Sequence, residues 1–329
     1  MPYIQGPDLA KEILVLTSHK SFWAASECQV FPNRFYSRTL FAGSGKWGSV
    51  RNPMNVLTVA LAGYRYVLQH RPKLILFGRV PRVANWFALL KRNGLLPDTK
   101  LVTYGAFYLN PKLAHYFDKL IVYSRSEIAQ HALEIQPRCV FVPLPADGDF
   151  ETLSSGSQEK YIFSGGGAGR DFYTLIEAIR GLDIRLKIVT FSPNSLGYSG
   201  KLPDNCEVEW RMPLQAFLQR MATARFVVVP LEKGIHPHGH TTAVQALRLG
   251  RPVITSKHAS MEDYVGHNRE GLLVEPGDVT GYREAITRLY YDSQLFASAS
   301  IYAREKAQLL TYDVHADRLL AICREVLES

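Results

Sequence analysis

Apolar segments of strand length alternate with segments of helical periodicity along most of this chain of 329 residues. In the first half, the strand-like segments are 11–18, 73–78, 100–104, 119–123 and 139–144, and helical spacing covers 55–70, 81–92 and 127–133. In the second half, the strand-like segments are 161–164, 186–191, 206–210, 226–231 and 252–255, and helical spacing covers 171–180, 213–224, 241–249, 280–291 and 316–327. Because consecutive strands that are joined through a helix run in the same direction, this alternation predicts parallel sheets with right-handed crossovers.

A polar stretch over residues 143–157, rich in proline, glycine and serine, separates the two series. With 47% apolar residues, a chain of 329 residues can bury two α/β cores. We therefore predict an α/β protein with two Rossmann-like, doubly wound domains. The first covers residues 1–145 and the second residues 158–310, while residues 311–329 form a C-terminal helix that could cross back to the first domain.

The positive charge of the chain is concentrated in its first half. The net charge is +8, from 38 Lys and Arg against 30 Asp and Glu. Residues 1–145 hold 18 basic and 7 acidic side chains, residues 146–329 hold 20 and 23, and residues 28–97 hold eleven basic side chains and no acidic one. Such a surface attracts an anionic membrane leaflet, a lipid-linked phosphate or an acidic glycan, although an ordinary solvated face is the alternative. Nucleic acid is not expected, because no nucleic-acid-binding module is recognisable.

The cysteines and the apolar segments of the sequence indicate the cellular compartment of the protein. The four cysteines are far apart and lack Cys-x-x-Cys spacing, which indicates neither a disulfide framework nor a zinc knuckle. The first ten residues are polar, and no apolar run approaches the roughly 20 residues that a membrane-spanning helix needs. We therefore expect a cytoplasmic protein, and the basic first half adds the expectation of association with the inner face of a membrane.

Residues 239–254 read as a polar loop that opens a helix and leads directly into a buried strand. Thr241 and Thr242 are predicted to cap the first turn of this helix, and Gly250 is predicted to end it. The free backbone N–H groups and the positive dipole end of such a helix suit a diphosphate.

Two further segments occur in the same half of the chain. Residues 161–178 read as a strand, a glycine-rich loop and a helix, and residues 270–278 read as a turn that a helix follows. In this order and spacing, the three segments resemble the donor-binding domain of GT-B glycosyltransferases of the family-4, or group 1, type, over about residues 158–292. The resemblance implies two domains that face a cleft, a nucleotide diphosphate sugar as donor, an acceptor hydroxyl, and neither a cofactor nor a bound metal.

The resemblance also assigns residues to the donor site. Arg170 matches one member of the family's basic pair, and Gly165 or Gly166 replaces the other. Gln245 stands where the family has the glutamate that holds the ribose hydroxyls, and Pro237 stands where it has the glutamate that contacts the sugar. The full set of donor-binding candidates is Gly165, Gly166, Arg170, Asn194, Arg211, Met212, Leu214, Lys233, Gly239, His240, Thr241, Thr242 and Gln245.

His19 and Glu232 are the catalytic candidates. His19 follows the first strand, where several inverting GT-B enzymes carry a general base, and an imidazole can take the proton of an acceptor hydroxyl near neutral pH. A structural or merely exposed histidine is the alternative. Glu232, together with Lys233, lies just before the diphosphate helix and could compensate for the missing sugar-contacting glutamate. Glu27 and Asp118 are weaker candidates.

Two other patterns have competing interpretations. His236, His238 and His240 alternate and could ligate a transition metal, but no carboxylate or cysteine completes a tetrahedral set, so we expect His240 to face the diphosphate. Residues 79–92 mix basic with aromatic side chains, which is typical of a membrane-surface helix and also of a helix packed on its own sheet.

The most concrete function is transfer of a sugar from a nucleotide diphosphate sugar to an acceptor hydroxyl, with an anionic or lipid-linked acceptor, or another glycan, on the basic first domain. An epimerase or hydrolase of nucleotide sugars on the same scaffold is one alternative. A non-catalytic binder is another, because both family glutamates are missing. A dinucleotide-dependent oxidoreductase is disfavoured, since Arg170 replaces the final glycine of a Gly-x-Gly-x-x-Gly pattern.

Overall fold

The structure is a computed structural model, and it describes residues 12–17, 34–36, 53–78, 80–96, 98–146, 150–154, 159–234 and 238–329. The chain divides into two compact units. The first unit comprises Met1–Val142 together with His315–Ser329, and the second comprises Pro143–Val314. The boundary between the units therefore falls where the polar stretch begins, and the end of the chain belongs to the first unit.

Each unit is built on its own parallel sheet. The first sheet contains β1 (Ile13–Thr17), β2 (Arg34–Tyr36), β3 (Leu74–Gly78), β4 (Lys100–Tyr104), β5 (Lys119–Val122) and β6 (Cys139–Phe141). The second sheet contains β7 (Tyr161–Gly165), β8 (Arg185–Thr190), β9 (Cys206–Trp210), β10 (Val227–Val229), β11 (Val253–Ser256) and β12 (Gly271–Val274). The strand orders are β2-β1-β3-β4-β5-β6 and β12-β11-β10-β7-β8-β9. The second order is that of a doubly wound Rossmann fold.

Helices connect most of these strands. In chain order they are α1 (Pro53–His70), α2 (Pro81–Arg92), α3 (Arg125–Ile128), α4 (Phe150–Ser154), α5 (Phe172–Ile179), α6 (Pro193–Leu196), α7 (Leu214–Thr223), α8 (His240–Arg248), α9 (Val279–Tyr291), α10 (Ser293–Ala307) and α11 (Tyr312–Glu328). The parallel sheets and their helical connections confirm the predicted α/β class. None of the helices in the described ranges is both long and apolar enough to cross a membrane.

The core of the first unit lies between its sheet and helices α1 and α2. Gly63 lets α1 pack closely against α2, because a Cβ atom at Gly63 would lie only 3.3 Å from the Phe87 ring of α2. The Phe87 ring of α2 is fully buried and its centroid lies 5.4 Å from that of Phe77 in β3. The apolar face of α2 is therefore core, which favours the packing interpretation of residues 79–92; residue 79 itself lies outside the described ranges.

Several elements differ from the sequence-based expectation, among them α4, which lies inside the polar stretch over residues 143–157. The helix predicted over residues 127–133 is wrong, because the α-helix there covers only Arg125–Ile128 and turns follow it. Strand β12 lies in the segment 270–278 that was predicted as a turn. With four residues, it is too short for its apolar pattern to distinguish it from the turn that follows. Helix α10 was not predicted, because it buries only small side chains and so lacks a strong apolar period. These side chains are Ala299, Ser300, Ala303 and Ala307.

Glu127 is a buried carboxyl group in the first unit. Its Oε2 accepts a hydrogen bond from the Tyr123 N–H at 3.0 Å. Burial raises the pKa of Glu127 to about 7, although the backbone N–H groups of Tyr123 and Phe107 act in the opposite direction. The neutral acid is therefore the form that the fold favours.

A pKa above its unfolded value means that the folded chain binds more protons, so Glu127 makes the free energy of unfolding fall as the pH rises from 4.5 to about 7. We expect Glu127→Gln to remove this dependence and to be more stable than the wild type at about pH 8, by about 1–3 kcal/mol. Urea unfolding at about pH 5 and pH 8 measures the effect. The exposed Glu134→Gln is the matched control, and equal pH slopes for wild type and Glu127→Gln would contradict the expectation.

Candidate anion-binding site in the second unit

The carboxyl ends of β7 and β10 lie where the strand order of the second sheet reverses. The two strands are neighbours, but the chain leaves β7 toward β8 on one side and leaves β10 toward β11 on the other. A crevice opens outside the carboxyl ends of the strands at such a reversal, and doubly wound sheets bind their ligands there.

The loops after β7 and β10 are joined at this point. Arg170 pairs with the loop after β10 in an antiparallel bridge. The Asp171 N–H donates to the Pro230 carbonyl at 3.1 Å, and the Glu232 N–H donates to the Gly169 carbonyl at 3.2 Å. The backbone therefore holds both loops in one arrangement.

Arg170 is a buried cation at this junction, with 8% of its surface exposed. Its Nε donates to the Gly165 carbonyl at 3.0 Å, its Nη1 to the Ala168 carbonyl at 2.9 Å and its Nη2 to the Thr242 hydroxyl at 2.9 Å. All three acceptors are neutral, and no carboxylate pairs with Arg170 in the described part of the chain. Burial lowers the pKa of Arg170 to about 10, so the group stays charged at neutral pH. A buried cation with neutral acceptors favours the binding of an anion.

The glycine-rich loop makes room for this arrangement. Gly166 has a φ of 106°, and a Cβ atom there would lie 2.7 Å from Arg170 Nη2. Gly169 has a φ of 62°, and a Cβ atom there would lie 2.5 Å from the His238 ring. Any larger residue at either position would be strained and would displace its neighbour, so both positions require glycine.

Helix α8 begins beside the Arg170 guanidinium. Its N-cap is Gly239, with a φ of 88° and no side-chain cap, so the predicted capping by Thr241 and Thr242 is wrong. Thr242 is buried in the first turn, where its hydroxyl accepts from Arg170, and Thr241 is exposed. The backbone N–H groups and the positive dipole end of such a helix start favour the binding of an anion.

Two side chains of α8 that were predicted to contact the donor are buried. His240 is 2% exposed, and its Nε2 lies 3.0 Å from the Ser260 carbonyl. Its imidazole therefore holds the helix start against the chain that follows β11, and its backbone N–H stays at the helix start. Gln245 is also buried, in the middle of the helix. Contact between Gln245 and a ribose stays a prediction.

Ser256 and Tyr282 anchor the loop after β10. The Leu231 N–H donates to Ser256 Oγ at 2.7 Å, and the Ser256 hydroxyl donates to the Leu231 carbonyl at 2.9 Å. The Tyr282 hydroxyl lies 2.8 Å from the same Oγ. Sequence patterns do not single out either residue, because a serine at a strand end and a tyrosine in a helix are ordinary. Their polar contacts fix the loop that leads to α8.

An exposed aromatic ring flanks the glycine loop. Phe191 follows β8 and is 60% exposed, and a Cβ atom at Gly167 would lie 2.4 Å from its ring. Gly166 lies against the Arg170 guanidinium, and the next residue, Gly167, lies against the Phe191 ring. Because the two glycines are adjacent in the chain, the ring and the guanidinium lie within about 12 Å of each other. The Nε of Arg211 donates to the Phe191 carbonyl at 3.0 Å. Phe191 is missing from the sequence-based set, although its place directly after a strand is a signal that could have found it.

The remaining donor candidates follow the carboxyl ends of β8, β9 and β10. Asn194 is exposed in α6, Met212 is partly buried after β9, and Leu214 is exposed at the start of α7. Glu232 and Lys233 are exposed in the loop after β10. All five residues therefore lie at the edge of the sheet that carries the glycine loop.

Four of the residues considered in the sequence lie outside the described ranges and stay predictions: His19, Glu27, His236 and Pro237. Asp118 binds structural partners in the first unit, since its Oδ2 accepts from Lys91 Nζ at 3.0 Å and from the Leu101 N–H at 2.8 Å. Within the described ranges, no group of three or more His, Cys, Asp or Glu side chains is placed to hold a metal ion.

Solved structures with the same fold are glycosyltransferases. A glycosyltransferase from Rickettsia africae is 12% identical, with a TM-score of 0.70 over 96% of this chain and 98% of that chain. Sucrose-phosphate synthase from Thermosynechococcus elongatus is 17% identical, with a TM-score of 0.63 over 91% and 82%. HepE from Anabaena, solved with UDP, is 13% identical, with a TM-score of 0.64 over 95% and 100%. The fold is therefore that of the GT-B class.

The family comparison narrows this class. Residues 170–292 match the sequence model of a family described as glycosyl transferases group 1. The match begins at Arg170 and includes helix α8. The predicted resemblance to group 1 glycosyltransferases is confirmed over this segment of the second unit, and it indicates a glycosyltransferase as the enzyme class. No curated protein sequence matches the chain.

The glycine loop supplies a stability test of the Arg170 contacts. Gly166→Ala places a Cβ atom against the guanidinium, whereas the matched Gly181→Ala, at a φ of 75°, meets no atom within 4 Å. We expect Gly181→Ala to lower the free energy of unfolding by about 1 kcal/mol through backbone strain alone. Gly166→Ala should lower it by about 1–3 kcal/mol more, because the guanidinium must move. Urea unfolding of both variants measures the difference, and equal losses would argue against a tightly packed guanidinium.

Proposed function

We propose that the chain binds a nucleotide diphosphate sugar in its second unit and transfers the sugar to an acceptor hydroxyl. The observation that carries this proposal is the buried Arg170 guanidinium beside the first turn of α8. A diphosphate at this point would pair with a cation whose acceptors are neutral, and it would accept hydrogen bonds from the backbone N–H groups of Gly239, His240 and Thr241.

A uridine diphosphate sugar is the first donor to test. HepE from Anabaena, which shares 13–14% identity with this chain, was solved with UDP and with UDP-glucose. In this chain, Phe191 would supply a face on which the base can stack while the diphosphate lies at Arg170. Met212, Leu214 and Asn194 would form the rest of the base-binding surface, and Gln245 would contact the ribose.

The proposed reaction makes one bond and breaks one. The acceptor oxygen bonds to the anomeric carbon, the bond from that carbon to the β-phosphate oxygen breaks, and the nucleoside diphosphate leaves with the electron pair. Negative charge grows on the leaving phosphate in the transition state, and Arg170 and the start of α8 would stabilise it. We propose that this fixed positive charge serves in place of a metal, so that the enzyme needs no cofactor.

We infer the kind of acceptor from the charge of the first half of the chain. The acceptor proton would pass to His19, and Glu232 with Lys233 would contact the transferred sugar. Residues 1–145, with 18 basic and 7 acidic side chains, suit an anionic or lipid-linked acceptor, or an acidic glycan. Such an acceptor fits a cytoplasmic enzyme that works at the inner face of a membrane.

A non-catalytic binder of nucleotide sugars is the second candidate. The observation that favours it is Gln245, a neutral residue buried in α8 at the place where the family has a glutamate. An epimerase or a hydrolase would use the same donor site with no separate acceptor. The three alternatives differ in their products: a glycosylated acceptor, an isomerised or hydrolysed sugar nucleotide, or an unchanged one.

Nucleotide binding tests the donor site directly. We expect one nucleoside diphosphate, with UDP as the first probe, to raise the melting temperature of the full chain, because a ligand of the folded state stabilises it. Arg170→Gln should weaken that binding by about 10- to 100-fold, since it removes a charge-assisted contact to the diphosphate. Titration calorimetry at neutral pH measures the change.

The matched control for Arg170→Gln is Arg180→Gln, because Arg180 is an exposed arginine of the same unit that pairs with Glu177 at 2.9 Å. It should bind the nucleotide like the wild type. Equal affinity of Arg170→Gln and wild type would refute the donor site. A sugar nucleotide that binds tightly but is never consumed, with water or with any acceptor, would favour the non-catalytic binder.

Stacking on Phe191 gives a further prediction. We expect Phe191→Ala to weaken UDP binding by about 5- to 100-fold, because stacking of a base on an aromatic ring contributes about 1–3 kcal/mol. Binding of inorganic pyrophosphate should not change, since it has no base. Tyr291→Ala is the control, because Tyr291 is also 60% exposed but lies at the end of α9. Equal weakening of pyrophosphate and UDP would show that Phe191 acts on the loop and not on the base.

A further inference from the structure

Helix α1 has a second apolar face, opposite the one that packs on the first sheet. Val59 and Val67 are buried in the core, whereas Leu57, Leu61 and Leu68 are 44%, 51% and 52% exposed. At 100° per residue, these three leucines fall within an arc of about 40°. They therefore form one stripe along the outer side of the helix.

Leu95 extends this stripe beyond the helix. It is 56% exposed, and its carbonyl accepts a hydrogen bond from the Tyr64 hydroxyl at 2.8 Å. Tyr64 lies on α1 one turn before Leu68, so the bond holds Leu95 beside the helix. We call Leu57, Leu61, Leu68 and Leu95 the leucine face. Clustered exposed apolar side chains of this kind mark an interaction surface.

Basic residues predominate in the part of the sequence that holds the leucine face. Residues 28–97 contain eleven Lys and Arg and no Asp or Glu, and Asp98 follows them. Arg65 is exposed on α1 about 40° beyond this arc, and Arg71 and Arg92, at the ends of α1 and α2, are also exposed. A second copy of this chain would bring like charges together at this face, which opposes self-association. An anionic bilayer surface offers apolar and negatively charged groups together.

We propose that the leucine face docks on the surface of an anionic lipid bilayer. The leucines would enter the boundary between headgroups and acyl chains, and Arg65, Arg71 and Arg92 would contact lipid phosphates. The membrane-contacting helix is therefore α1 and not residues 79–92, whose apolar side chains are used in the core. Vesicle binding needs no nucleotide sugar, so this surface and the proposed donor site can fail independently, although the surface would suit a lipid-linked acceptor.

The test is co-sedimentation of the full chain with phosphatidylcholine vesicles that contain about 30% phosphatidylglycerol, at about 0.1 M salt. We expect binding to these vesicles, and binding to pure phosphatidylcholine that is at least about tenfold weaker. The combined variant Leu57→Gln, Leu61→Gln and Leu68→Gln should bind the anionic vesicles at least about tenfold more weakly, because glutamine keeps the helix propensity but removes the apolar surface.

The matched control combines Ile301→Gln and Leu309→Gln, both 51% exposed in the second unit, and it should bind like the wild type. Leu61→Gln alone should show a smaller loss, which keeps the test valid if the triple variant unfolds. Any of four results would overturn the proposal. Leu61→Gln and the triple variant could bind vesicles like the wild type, or the control could lose as much binding as the triple variant. The wild type could also bind both vesicle types equally, or bind neither. A wild-type dimer in light scattering that the triple variant loses would assign the face to a second copy instead.

Discussion

The candidate site depends on the buried guanidinium of Arg170. A guanidinium carries five N–H donors in a planar fork, and here three of them donate to two parts of the second unit. The carbonyls of Gly165 and Ala168 lie at the end of β7 and in the loop that follows it, and the hydroxyl of Thr242 belongs to α8, 72 positions away in sequence. A lysine ammonium could supply the charge but not several N–H donors in a fixed planar geometry. Arg170 therefore joins the glycine loop to the helix start while it keeps its charge.

The same interaction has a cost that the rest of the junction must offset. A cation away from water is unfavourable, and the left-handed glycines that admit it restrict the backbone. The bridge between Arg170 and the loop after β10, and the bonds of Ser256 to Leu231 and Tyr282, hold the junction in place. Because the protein's own contacts fix the position of the cation, little free energy is lost in reorganisation when a charge develops beside it.

Most of the sheet could be predicted from the sequence, because buried parallel strands are continuous apolar runs that need no tertiary information. Helix α8 and Arg170 were also recognisable, from a glycine-rich start and from the position of a basic residue after a strand. The role of Thr242 was not, since a hydroxyl that could cap its own helix is instead bonded to an arginine from another loop. Phe191 and Ser256 act through neighbours that are distant in sequence, so no local pattern could identify their contacts.

Helices α1 and α2 show why composition alone cannot locate an interaction surface. Helix α2 mixes basic and aromatic residues, as a membrane-surface helix does, yet Phe87 is fully buried against the sheet. Helix α1 is apolar nearly all round, which in sequence is typical of a helix enclosed by its own protein. In the structure only one side of α1 meets the core, and Leu61 on the other side is half exposed. Burial, which depends on the whole fold, therefore distinguishes an apolar side chain that stabilises the first unit from one that is left to bind a partner.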